Sequence, residues 1–349
     1  MKKIKVADKF IGEGCPAFIV AEAGCNHEGS LELAKKLVDG ALKARADAIK
    51  FQHYDPKKLV TKTVPFFWVD KKGGTSQLKK YKQEKSLTKD EFRQIAGYCR
   101  KKGIIFFSTP FDYENADFLE ELDIPLYKLA ATDLTNIPFL KYVAKKGRPV
   151  AFSAGMCSIG EIEEAIEAMK SSGNDRLIPL HCIVAYPASA KIANLNFIRS
   201  LQKLFPDYPI GFSDHTLGIN IPAIAASLGA KLIEKHYTVD KTLTGTSDHA
   251  ISVDAQDLKQ MVKNIREAEV CLGSYIRTLL PEEKGAYLYG RRKVVASRNI
   301  LKGTVLKKDM ITCKRSGDGL YPKFFDMLIG RKANVDIKEE EGITWDKIS

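Results

Sequence analysis

The chain has 349 residues, 44% hydrophobic and 28% charged, enough to bury a large core with room for a second, small domain. It has no run of about 18 apolar residues, and its opening MKKIKVADKF lacks the apolar middle of a signal peptide, so a soluble cytoplasmic protein with no membrane partner is expected. Seven cysteines without a CxxC pair exclude a disulfide framework and a cysteine zinc site, and the net charge of +12 is spread in pairs such as Lys35-Lys36 and Lys79-Lys80, the pattern of solvated helix faces and not of a nucleic-acid site.

Eight short apolar, β-branched runs recur in order along roughly the first 240 residues: AFIVAEAG, DAIKFQ, IIFFSTP, LYKLAA, PVAFSAG, IPLHCI, PIGFSDHT and LIEKHYT. Segments of helical period separate them. In SLELAKKLVDGALKA, Ser30 is placed to cap the first turn. In LTKDEFRQIAGYCRKKG, Thr88 and Glu91 fit a capping box and Gly103 a C-terminal stop. Continuous apolar strands alternating with amphipathic helices predict a parallel sheet covered by helices, and eight repeats suit a closed (β/α)8 TIM barrel over residues 1–275. From about residue 275 the texture changes to short alternating runs broken by Gly303, Gly317, Gly319, Gly330 and Gly342, which predicts a small β-rich domain over residues 285–349.

Each of the eight runs begins apolar and ends in ionisable or hydroxyl residues: Glu22, Lys50 and Gln52, Ser108 and Thr109, Lys128, Ser153, His181, Ser213 to His215, and His236. In a barrel all eight ends converge on one face, where active sites are built. His215 and His236 end consecutive strands, so they are expected to be neighbours, either as ligands of a divalent metal or as a hydrogen-bonded structural pair. Lys50 and Lys128 in a barrel mouth call for an anion, supplied by a ligand or by salt bridges to Glu22 or Asp133. Thr109 and Ser153 can donate to the same anion or serve as helix caps.

The ordered set EAGCNHEGSLELAKKLVDGA, DAIKFQ, FFSTPFD, YKLAATDLTNIP, FSAGM, LHCIVAYP, GFSDHTLG, EKHYTVD and SDHAIS, followed by KRSGDG and LIGRKA, resembles the sialic acid synthase (N-acylneuraminate or nonulosonic acid synthase) family with its C-terminal antifreeze-like (SAF) domain. The resemblance covers essentially the whole chain. It implies condensation of phosphoenolpyruvate with the open-chain aldehyde of an N-acyl hexosamine, giving a nine-carbon 2-keto sugar acid and phosphate. It further implies Mn2+ or Mg2+ on His215 and His236, and phosphoenolpyruvate on Lys50, Thr109, Lys128, Ser153 and Ser213. Glu22, Gln52, Tyr186 and Asp248 fall on sugar-side positions, with Glu22 placed to handle a proton. Arg315 falls on an arginine of the small domain that reaches a partner's sugar site, which implies a domain-swapped homodimer.

Four features depart from the family pattern. Ala131 stands where a serine is frequent, Val184 where Asn or Ser is frequent, and the segment VPFFWVDKKGGTSQLKKYKQ and the turn GTSDH differ on the sugar side. Two other readings are a phosphoenolpyruvate-dependent synthase of a shorter ulosonate and a catalytically silent sugar-binding scaffold.

Overall fold

The computed structural model describes residues 1–66 and 76–349, so residues 67–75 of the sugar-side segment singled out above lie outside the described residues. The chain divides into two compact units, Met1–Gly273 and Ser274–Ser349.

The first unit opens with a hairpin of two three-residue strands, β1 (Ile4–Val6) and β2 (Lys9–Ile11), whose Ile4, Val6 and Ile11 join the main core. Strands this short carry no readable period, and neither is among the expected elements. The eight apolar runs then become eight parallel strands: β3 (Phe18–Gly24), β4 (Ala48–His53), β5 (Ile105–Pro110), β6 (Tyr127–Leu129), β7 (Val150–Ser153), β8 (Leu177–Cys182), β9 (Gly211–Asp214) and β10 (Leu232–His236). They close into a barrel in sequence order, with β10 pairing back onto β3. Burial on both faces explains their composition: all seven residues of β3, FIVAEAG, are buried.

Helices cover the barrel with apolar stripes. The helix Leu31–Lys43 buries Ala34, Leu37, Val38 and Ala41, an i, i+3, i+4, i+7 pattern, behind the Ser30 cap. The helix Lys89–Lys102 carries the expected Thr88/Glu91 capping box and ends on Gly103 in the left-handed region. Parallel register then aligns the polar strand ends side by side. Glu22 stands beside Lys50 on one side and His236 on the other, and Gln52 beside Thr109.

The second unit has its own core of Val294, Ala296, Ile300, Leu306, Ile311, Leu328, Ala333, Ile337, Ile343 and Ile348. Its only paired strands among the described residues are β11 (Arg292–Ala296) and β12 (Ile311–Arg315), antiparallel, joined by short 3-10 turns, single bridges and a four-residue helix, Phe325–Leu328. Among the described residues, no helix is long and apolar enough to cross a membrane.

Candidate active site

The C-terminal ends of the barrel strands surround a cavity of about 880 Å³. Every barrel residue that the resemblance places on substrate or metal lines it: Glu22, Lys50, Gln52, Thr109, Lys128, Ser153, Tyr186, Ser213, His215, His236 and Asp248. Arg315 belongs to the second unit, exposed at the end of β12 and paired in register with Arg292. His181, another polar strand end, stacks on Phe212 and hydrogen-bonds the Ala193 carbonyl at 2.7 Å. Ser108 donates to the Phe51 carbonyl at 2.7 Å. Neither lines the cavity, because the period of two along a strand sends alternate side chains outward.

The floor is cationic and hydroxyl-rich. Lys50 Nζ lies 3.2 Å from Thr109 Oγ1, 3.2 Å from Glu22 and 3.4 Å from Glu234. Lys128 Nζ donates to Ser153 Oγ at 2.7 Å and lies 3.7 Å from Glu234, which also accepts from Ser213 at 3.0 Å. The lysines are therefore salt-bridged within the protein, to Glu22 and to Glu234. The alternative partner Asp133 is not among their ion pairs, and one of its carboxylate oxygens has no hydrogen-bond partner.

Glu234 went unassigned in the sequence although the signal was present. The period of two that turns His236 into the lumen turns Glu234 with it. Lys235, between them, points the other way, where it pairs with Asp214 at 2.7 Å in a fully buried ion pair. Asp214 also accepts from the Thr216 backbone N–H and hydroxyl at 2.9 and 3.0 Å.

Burial and these neighbours set the protonation states. Burial pulls the Lys50 ammonium down, but Glu22 and Glu234 outweigh it and hold its pKa above the ordinary lysine value. For Lys128 burial prevails over Glu234, and its pKa falls. Burial opposes ionisation of Glu234, yet Lys128 and Lys50 outweigh it and keep that carboxyl below the usual range. Glu22 moves the other way, raised by burial against the pull of Lys50, and is the carboxyl suited to exchange a proton.

Toward the mouth, three sugar-side positions surround Gly24. A Cβ there would lie 3.4 Å from Glu22, 3.6 Å from Asp248 and 3.7 Å from Gln52, and its φ of +50° suits glycine. Gln52 donates to Glu22 at 2.6 Å. Tyr186 packs against His215 with ring centroids 4.2 Å apart and the planes tilted by 39°.

The two histidines are neighbours, ring centroids 5.3 Å apart. His215 Nδ1 lies 2.8 Å from the Ile183 carbonyl, which can only accept, so Nδ1 carries the proton and Nε2 the lone pair. His236 Nδ1 has no hydrogen-bond partner and faces Asp248 at 3.5 Å, which favours the same tautomer. Burial, with each other's charge for His215 and with Lys50 for His236, lowers their pKa values to about 4 and about 3, so both rings are neutral at pH 7. Two neutral imidazoles with free Nε2 lone pairs fit a first-row divalent ion whose remaining ligands are water or substrate. Among the described residues, no three His, Cys, Asp or Glu side chains gather at one point as a closed metal site.

The departures from the family pattern fall on this lining. Ala131, Thr132 and Val184 all face the cavity, and Val184 fills the space that a Cβ on Gly155 would need. Cys182, unassigned from the sequence, lines the cavity with its Sγ 3.8 Å from His215 Nδ1.

A profile of the NeuB family matches residues 37–277 and one of the SAF domain residues 291–349. The chain is 41% identical to an uncharacterized protein of Methanocaldococcus jannaschii, over 100% of this chain and 99% of that one. It is 36% identical to the N,N'-diacetyllegionaminic acid synthase of Legionella pneumophila, over 97% and 96%. The crystal structure of N-acetylneuraminic acid synthetase from Leptospira borgpetersenii, in complex with citrate, superimposes with a TM-score of 0.74 at 36% identity, covering 82% of this chain and 96% of that one. By sequence, by the ordered strand-end residues and by the closed barrel that gathers them, the chain belongs to the NeuB family.

Proposed function

We propose that this protein condenses phosphoenolpyruvate with the open-chain aldehyde of an N-acyl hexosamine, releasing phosphate and a sialic-type nonulosonic acid. The observation that carries the reading is one cavity with a lysine and hydroxyl floor and a mouth of neutral histidines and carboxyls. That pairing suits a small polyanion below and a polyhydroxylated aldehyde above. The names of the relatives support the sugar class.

Lys50, Lys128, Thr109, Ser153 and Ser213 hold the carboxylate and phosphate of phosphoenolpyruvate through charge-assisted hydrogen bonds, fixing carbon 3 in attack geometry. An incoming anion competes with Glu234 for both lysines, so Glu234 keeps them charged and oriented before it arrives. His215 and His236 hold Mn2+ or Mg2+, which when bound supplies Lewis acidity toward the aldehyde oxygen. Gln52, Tyr186 and Asp248 orient the sugar, and Glu22, with its raised pKa, moves a proton at the reacting end. The test is incubation with phosphoenolpyruvate, Mn2+ and a panel of N-acyl hexosamines, free and phosphorylated, following phosphate release and product mass. Release with unphosphorylated members is expected. Release with phosphorylated members alone would assign a phosphorylated nine-carbon acid, release only with a shorter phosphorylated aldose added to the panel would favour another ulosonate synthase, and none with any aldehyde a sugar-binding scaffold.

The working unit in this proposal is a homodimer in which Arg315 of one copy reaches the sugar site of the other, supported by the resemblance and by the exposure of Arg315. An Arg315→Ala chain mixed with a His236→Ala chain, each inactive alone, then yields a heterodimer with one intact site. Activity should recover toward half the wild-type value per heterodimer, and no recovery despite demonstrated subunit exchange would refute the arrangement.

A further inference from the structure

The loop after β10 supplies much of the sugar-side wall, with Thr242, Thr246, Ser247, Asp248 and Ile251 among the residues that face the cavity. A loop rich in small polar residues has little apolar surface of its own with which to hold a shape. What holds it lies behind the cavity wall, on the turn after β3. The side chains involved, Asn26, Glu28, Thr238, His249 and Ser252, do not line the cavity.

Two sets of contacts run from that turn to the loop. Asn26, fully buried, donates to the Tyr237 carbonyl at 2.9 Å and to Ser252 Oγ at 3.0 Å, and accepts from Thr246 Oγ1 at 2.7 Å. Ser252 Oγ in turn donates to the backbone carbonyl of Asp248 at 2.6 Å. Glu28 accepts from the Gly245 backbone N–H at 2.7 Å, and the same oxygen lies 3.3 Å from Nε2 of His249, the residue after Asp248. Glu28 sits at φ +49°, a sparsely populated conformation for a residue with a side chain.

Proton bookkeeping on His249 shows what Glu28 contributes. The ring is fully buried, with Nδ1 2.8 Å from Thr238 Oγ1, and Nε2 has no partner other than the facing Glu28. Thr238 has one hydroxyl proton, to give either to Nδ1 or to the Asp240 carbonyl at 3.1 Å. Given to Nδ1, it leaves the Nε2 proton facing the Glu28 carboxylate at 3.3 Å, an electrostatic contact short of an aligned hydrogen bond. Without the Glu28 carboxylate, the buried Nε2–H loses the one negative charge that faces it, which is costly for a buried donor.

We infer that Glu28 and His249 are positioning residues for the sugar site, a clamp that fixes the Thr242–Ile251 wall and the Asp248 carboxylate from behind. The inference rests on the synthase reading for its kinetic arm only. Glu28→Ala should raise KM for the N-acyl hexosamine roughly tenfold or more, while KM for phosphoenolpyruvate stays within about twofold, because the floor lysines are untouched. Glu28→Gln keeps an acceptor oxygen for both Gly245 N–H and Nε2–H and should stay within about threefold of wild type. Gly245→Ala provides a route that leaves the carboxylate in place. An added Cβ there collides with the end of the Glu28 side chain and swings it off the loop, so it should reproduce the Glu28→Ala pattern.

Amide hydrogen exchange supplies a readout independent of turnover. In Glu28→Ala and in Gly245→Ala, exchange should accelerate in peptides covering residues 240–252 and stay unchanged in β9. If both KM values rise together, if Glu28→Gln is as damaging as Glu28→Ala, or if loop exchange matches wild type, the clamp is refuted. If the wild type turns over no sugar, the synthase reading fails while the exchange comparison still decides the clamp.

Discussion

His236→Ala is expected to lower turnover by roughly 10³-fold or more, because several kcal/mol of Lewis-acid stabilisation depends on the ion it helps to hold. His215→Ala should match it, since each removes one of only two imidazoles available for the ion. Neither change should unfold the chain. Both rings face the cavity, so truncation widens a space already open to water instead of leaving a sealed void in the packed core. The decisive measurements are Mn2+ affinity by calorimetry and phosphate release, with circular dichroism as the control. Normal Mn2+ binding and turnover in both variants would remove the metal assignment and leave the pair as structural histidines.

The other large effect is expected at Lys50. Its ammonium is the nearest cation to Glu22 and shares Glu234 with Lys128, all of them buried. Lys50→Met keeps the length of the side chain but strands Glu22 as a buried carboxyl without a counter-charge, the situation that costs about 3–5 kcal/mol when one partner of a buried pair is removed. Part of that cost is relieved if Glu22 takes up a proton, which its raised pKa already favours. Lys50→Met should therefore lose stability in urea most strongly at high pH, where Glu22 must ionise, and less at low pH. Activity should be lost at every pH, because the anion seat has lost half its charge. Adding Glu22→Gln to Lys50→Met should restore much of the urea midpoint and none of the turnover. A Lys50→Met chain that unfolds at the wild-type midpoint across this range would show that the ion pair carries no such energy.

How far the sequence reveals this molecule depends on which physical signals are local. The eight strands were legible because a strand buried on both faces must be apolar along its length, and the Thr88/Glu91 box because capping is a four-residue pattern. Their polar ends were legible as a site because a barrel gathers them on one face. Glu234 obeys the same alternation as His236, but its role depends on Lys50 and Lys128 of other strands, which its local stretch does not reveal. The Glu28–His249 contact could not be seen at all: it joins residues 221 positions apart through a single oxygen, and nothing in either local stretch announces the other. Cys25, Tyr54, Tyr81 and Glu84, which also line the cavity, were missed because they stand in turns and on a short helix outside the strand-end pattern.

The fully buried Asp214–Lys235 pair has a consequence for how such a protein changes over generations. It ties β9 to β10 from outside the lumen, while Ser213, His215, Glu234 and His236 occupy the alternate positions inside. The backing of the two strands and the chemistry they present are thus written in separate, interleaved residues. Substitution at the inward uncharged positions can alter the lumen without cutting that tie, but Glu234 cannot drift alone, because its loss would strand Lys50 and Lys128. Asp214 and Lys235 are bound by the same rule, since either change alone abandons a charge in the interior.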